Sequence, residues 1–234
     1  MPEAHLRSII AAANSVCGDI IVCTGDYVHE RNSRREIDSV WPLLSRLRAP
    51  RGVFSVLGNH DHWADKDRSL EWLDRSGFDL RHKAIPIQRG GARIWLAGAG
   101  DLWEDDVGVD RAFQNVPPEE CKIVLAHNPD TADFDFSARI DLMISGHTHG
   151  GQIDFPFLGT LVLPVKNKRY ISGYLKTGRM GLYISRGIGW GVLPVRYNCS
   201  PEISLLHLHA ERSSSIHCGA SDLCACPAAL SAVA

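Results

Sequence analysis

Short apolar runs punctuated by polar loops dominate the chain, with helical periodicity confined mostly to its first third. Leu6, Ile9, Ile10 and Ala13 share one helical face behind Pro2 and Glu3, which suit a first turn. Residues 19–23 follow as a buried strand ending at Thr24-Gly25-Asp26. Ile37, Val40, Trp41, Leu44 and Leu47 form the stripe of a second helix that stops before Pro50. A second buried strand, 53–57, opens into Gly58-Asn59-His60-Asp61-His62, and a third helix around 68–76 ends at Gly77. Beyond Gly77 strands take over. Segments 85–88 and 93–97 flank Gly90-Gly91 as a hairpin, and 109–115 is a short helix. Buried strands at 122–125 and 142–145 lead into Ala126-His127-Asn128 and Gly146-His147-Thr148-His149, and later strands are expected at 159–165, 181–185 and 203–208.

Strand–helix units followed mostly by strands predict an α/β fold of two sheets packed face to face with helices outside. The polar loops then line one rim of the sheets, where open α/β sheets bind ligands. Neither a repeat nor a linker interrupts the chain before about Ala210, so one domain over 1–209 is expected. Residues 210–234 read as a disordered tail of small residues; its Cys218, Cys224 and Cys226 lack a second ligand pair at zinc-finger spacing. Cys17, Cys23, Cys121 and Cys199 are expected as buried free thiols. Phe155, Phe157, Tyr174 and Trp190 are read first as core aromatics and second as an apolar rim for acyl chains.

Composition narrows the function. A net charge of −2 offers no chain-wide basic field, so nucleic acid is not a predicted partner. No apolar run reaches the length of a membrane span, and no export signal follows Met1; taken as given, the chain is cytoplasmic. A longer form would have room for peripheral or anchored membrane association. Oligomeric state is not legible.

The four polar blocks carry the chemistry. Asp, Asn and His are ligands suited to borderline divalent metals such as Mn, Fe or Zn. A lone Gly25-Asp26 is a commonplace turn, and His127 taken singly is a buried, hydrogen-bonded histidine. In Gly58-Asn59-His60-Asp61, an amide oxygen can ligate metal, an imidazole can face substrate, and a carboxylate can orient that imidazole. Two imidazoles flanking Thr148 can address two neighbouring metals. The joint pattern, every block after a predicted strand, outweighs its parts.

In these blocks and their order the chain resembles the calcineurin-like metallophosphoesterases, and in particular a bacterial phosphodiesterase branch related to UDP-2,3-diacylglucosamine hydrolases. Thr24-Gly25-Asp26-Tyr27, Ala126-His127-Asn128-Pro129-Asp130, Gly146-His147-Thr148-His149-Gly150-Gly151-Gln152, Ser185-Arg186-Gly187-Ile188-Gly189 and the segment from Arg196 to Glu202 carry the likeness, which runs from about Pro2 to Leu208. The resemblance implies a four-layer α/β/β/α sandwich with two divalent metal ions. Asp26 would bridge them, Asn59, His127 and His147 would complete one, and His149 would serve the other. His60 would face the scissile phosphate, with Asp61 steering its ring, and Arg186 is a further candidate for contacting phosphate. The implied activity is hydrolysis of a phosphodiester, pyrophosphate or phosphomonoester by a metal-activated hydroxide. Its substrate would be a phosphorylated small molecule, nucleotide-linked or lipid-linked. The family's opening strand, ending in Asp-x-His, has no match before Asp26. The metal served by His149 is therefore expected to be weakened, and a sheet strand to be left without its neighbour. The alternative is a catalytically impaired fragment or a non-catalytic binding module on the same fold.

Overall fold

The computed structural model describes residues 2–157, 159–160, 162–178, 180–191, 193–209 and 230–233, the last four as backbone only. Helix α1 (Glu3–Ser15), strand β1 (Ile20–Cys23), helix α2 (Arg34–Leu44), strand β2 (Val53–Ser55) and helix α3 (Asn59–Ser76) come first. Strands β3 (Ala84–Arg89) and β4 (Ala92–Gly98), helix α4 (Val109–Phe113), and strands β5 (Lys122–Leu125) and β6 (Leu142–Ser145) follow. The short pair β7 (Asp154–Phe155) and β8 (Gly159–Thr160) precedes β9 (Gly173–Thr177), β10 (Met180–Ile184), β11 (Leu205–Leu208) and β12 (Leu230–Val233).

Alternation along the strands builds the layers. In β1, Ile20 and Val22 join Ile123, Leu125 and Ile144 of the other sheet, while Ile21 packs with Leu6, Ile10, Ile37 and Trp41 of the helices. In β5, Val124 faces outward to Val109, Phe113 and Tyr170. The result is the expected four layers: helices α1–α3, a sheet ordered β11-β12-β1-β2, a sheet ordered β3-β4-β5-β6-β10-β9, and an outer layer containing α4. β1 runs parallel to β2, and β4, β5, β6 and β10 run parallel to one another. The carboxyl ends of β1, β2, β5 and β6 therefore carry all four polar blocks.

Several expectations are corrected. The third helix starts at Asn59, not near Arg68, because the Asp61 carboxylate reaches back to the Gly58 N–H and caps its first turn. Asp65, with φ −174° and ψ 105°, breaks the helix in two. The strand expected over 159–165 shrinks to Gly159–Thr160; beyond it the Lys166 and Asn167 N–H groups donate to Asp130, not to a ladder. Cys17 is exposed, and Phe155, Phe157 and Tyr174 are exposed, not core. β1 is paired on both sides: β12 lies beside it with Ile20 opposite Ala232 and Ile21 opposite Val233. The end of the tail is thus a strand, its Leu-Ser-Ala-Val run accepted by the free edge of β1. Cys218, Cys224 and Cys226 lie outside the described residues.

Candidate metal centre

Two sheets bring their strand ends together at one point. The turn after β1 places Asp26 in left-handed backbone at φ 59°, and the turn after β6 does the same for His147 at 68° and His149 at 52°. Such conformations cost a non-glycine residue about 1–3 kcal/mol each and persist where surrounding structure imposes them. The loops are packed too tightly for a side chain at Gly58: a Cβ there would sit 2.3 Å from Asp26 Oδ1 and 2.7 Å from His127 Nδ1.

Three acceptor atoms converge on Nε2 of the His127 ring. Its Nε2 lies 3.2 Å from Asp26 Oδ2, 3.1 Å from Asn59 Oδ1 and 2.9 Å from His147 Nδ1. The far ring nitrogens are committed to carbonyls: His127 Nδ1–H donates to Thr24 O at 2.8 Å, and His147 Nε2–H to Pro164 O at 2.9 Å. Those two bonds turn His127 Nε2 and His147 Nδ1 toward each other beside two oxygens, and in the neutral rings both nitrogens are lone pairs. One proton cannot serve three acceptors, whereas a divalent cation among them can, and carbonyl-anchored imidazoles are the usual form of metal-ligating histidine. The mixed nitrogen–oxygen set fits Mn, Fe or Zn. Among the described residues, the ligand atoms of Asp26, His127 and His147 all lie within 4.8 Å of one another.

Without an ion, the charges of the cluster favour a proton on His127, at the place a cation would take. Burial opposes ionisation of Asp26, yet His127 beside it holds the carboxyl well below the usual range. Burial likewise opposes charge on His127, but the Asp26 carboxylate carries the imidazole up to about 9. Burial, reinforced by His127, takes His147 down to about 3, and burial takes His149 down to about 4 despite Asp26. Those two rings are neutral, with a lone pair each to offer.

The remaining predicted residues surround this cluster. His149 and His60 line the same cavity, of about 250 Å³, without joining the four-atom cluster. His60 gives its backbone N–H to Asp26 Oδ1 at 2.9 Å, and its ring Nδ1 donates to His29 O at 3.1 Å. Asp61 does not steer the His60 ring. Wholly buried, it accepts N–H groups from Asp26, Tyr27 and Gly58 at 2.8–2.9 Å and so clamps the two loops together. Burial, with the Asp26 charge nearby, pushes its carboxyl up to about 7. Arg186 lines the cavity but is tied to Glu202, 3.8 Å from Oε2.

Other groups at the site had no role assigned from the sequence. Trp103, exposed, makes a T-shaped pair with His147, ring centroids 4.8 Å apart, and Trp63 makes one with His60 at 4.9 Å. Arg196 donates to the carbonyls of His149, Arg186, Gly187 and Gly189, and Gln152 bonds Gly191 N and Leu193 O. The last two stand in motifs the resemblance rests on, but their hydrogen bonds bind loops, not ligand.

Comparison with known proteins places the chain. Residues 3–151 match the family model described as calcineurin-like phosphoesterase. The metallophosphoesterase YkuE of Bacillus subtilis is 31% identical over 207 residues, covering 87% of this chain and 72% of that protein. The phosphodiesterase YaeI of Escherichia coli is 34% identical over 213 residues, covering 89% and 77%. The UDP-2,3-diacylglucosamine pyrophosphatase LpxG of Chlamydia muridarum is 26% identical over 263 residues, covering 88% and 78%. With a metal-ready cluster at the strand ends and this coverage, the chain belongs to the calcineurin-like phosphoesterase family of metal-dependent phosphoester hydrolases.

Proposed function

We propose that Asp26, Asn59, His127 and His147 hold one divalent ion, that Asp26 and His149 hold a second, and that the chain hydrolyses a phosphodiester or pyrophosphate bond. The observation that carries this reading is the meeting of Asp26 Oδ2, Asn59 Oδ1 and His147 Nδ1 around His127 Nε2, with the far nitrogen of each ring held by a carbonyl. When bound, such ions lower the pKa of water and neutralise charge on phosphoryl oxygens. Mn, Fe and Zn all suit the donors. All of these side chains lie in residues 1–209, which we take as the catalytic unit.

The chain's own groups do the rest. Asp61 holds the Asp26 and Gly58 loops at fixed separation, so that the ligands are preorganised before any ion arrives. His60, anchored through Nδ1 to the His29 carbonyl, keeps Nε2 free to hold a proton for the leaving oxygen. Arg186 is assigned to bracing its loop through Glu202, in place of binding phosphate. YaeI and LpxG, named as a phosphodiesterase and a lipid-linked pyrophosphatase, support a phosphorylated substrate, small or lipid-linked.

Hydrolysis of bis(p-nitrophenyl) phosphate with added manganese tests the assignment. His60→Ala is expected to lower kcat by about 10²–10⁴-fold with bound metal unchanged. Loss of metal from that variant would make His60 a ligand, and unchanged turnover would remove it from the chemistry.

A further inference from the structure

An apolar surface stands beside the metal centre with no covering element among the described residues. The β7–β8 hairpin carries Phe155 and, at its tip, Phe157, which is 107% exposed with φ 68°. Val162, 78% exposed, follows the hairpin. Leu193, Val195 and Tyr197 on the neighbouring loop are also exposed. Backbone bonds make the two segments one body: Asp154 N–H donates to Tyr197 O and Tyr197 N–H to Gln152 O, both at 3.0 Å, and the Phe155 and Tyr197 rings lie 6.1 Å apart. Gln152 ties the body to the site, its N–H donating to His149 O and its side chain to Leu193 O. Exposed apolar side chains scattered singly are ordinary, but a contiguous set at a loop tip marks an interaction surface.

Charge says what covers it. Segments 153–169 and 189–198 hold Lys166, Lys168, Arg169 and Arg196 against Asp154 alone, in a chain with 25 basic and 27 acidic residues. Arg196 and Lys168 are spent on backbone carbonyls, but Lys166 and Arg169 are exposed. Lys168 Nζ donates to Leu163 O and Val165 O, folding the basic turn against the segment that leaves the hairpin. Asp133, across that turn, is engaged by Tyr170 and Asn167. A protruding hairpin tip offers little of the broad area a protein partner requires, about 800 Å² a side. Aromatic and aliphatic side chains on a tip, flanked by lysine and arginine, match the interfacial zone of a bilayer bearing anionic lipid.

We infer that the β7–β8 hairpin and the 193–197 loop dock on an anionic lipid surface, with Phe157 inserted and Lys166 and Arg169 against the headgroups. No described helix is long and apolar enough to cross a membrane. The inference stands apart from the proposed chemistry, and its test does not use turnover.

The full chain is sedimented with vesicles of phosphatidylcholine mixed with phosphatidylglycerol, and with phosphatidylcholine alone. Binding to the mixed vesicles is expected to exceed that to neutral ones. Phe157→Asp should weaken it by about tenfold, the loss of one buried aromatic side chain. Lys166→Ala should weaken it by about fivefold. Val195→Asp is a second probe should Phe157→Asp misfold by near-ultraviolet circular dichroism. No binding to mixed vesicles, equal binding to neutral ones, or binding indifferent to the folded variants would overturn the inference. So would a chain dimer in solution that only Phe157→Asp dissociates.

Discussion

Gly58 is the residue on which the proposed ligands crowd most closely. A methyl group there would occupy the space between Asp26 Oδ1 and the His127 ring. Overpacking of that kind displaces neighbours by about 1–3 kcal/mol. Gly58→Ala should therefore weaken manganese binding by about tenfold, read by chelator competition, with a folded chain. Unchanged affinity would mean that the two loops move apart freely. At this scale the sequence displayed the ligand types but misassigned Asp61. Its position beside His60 suggested a ring partner, whereas its bonds run to Asp26 and Tyr27, 35 and 34 residues away. Contacts of that range are invisible to local spacing.

Among the elements, β5 shows how a strand that carries a candidate ligand is secured. Lys122, 1% exposed at its start, donates Nζ to the carbonyls of Pro117, Pro118 and Glu120. Lys122→Met keeps the stem but leaves those carbonyls without their donor. A loss of about 2 kcal/mol is expected from the denaturation midpoint, with turnover per folded molecule retained. A midpoint as high as the parent's would show that water replaces the ammonium. β1, β2, β5 and β6 were legible as apolar runs because they are buried on both faces. The start of α3 was not, because Asn59-His60-Asp61-His62 has no apolar period and its helix depends on a side-chain cap. β9 was missed because it is an edge strand whose Tyr174 and Lys176 face solvent. β12 was hidden in a tail of small residues and exists by pairing with β1 and β11.

The whole molecule makes the site by stacking two sheets, each contributing loops at the carboxyl ends of parallel strands. Ile20 and Val22 of one sheet interleave with Ile123, Leu125 and Ile144 of the other, which fixes the distance between Asp26 and His127. The Thr24 carbonyl that sets the His127 tautomer is 103 residues away and in the opposite sheet. The order of blocks could suggest this meeting, and the resemblance named it, but only the packed sheets set its distances. The central claim is that these remote groups share a metal ion. A crystal soaked in manganese and measured for anomalous scattering tests it most directly. The account predicts a peak within bonding distance of Asp26 Oδ2, Asn59 Oδ1, His127 Nε2 and His147 Nδ1. A map with no peak there, or with manganese held only by other side chains, would contradict it.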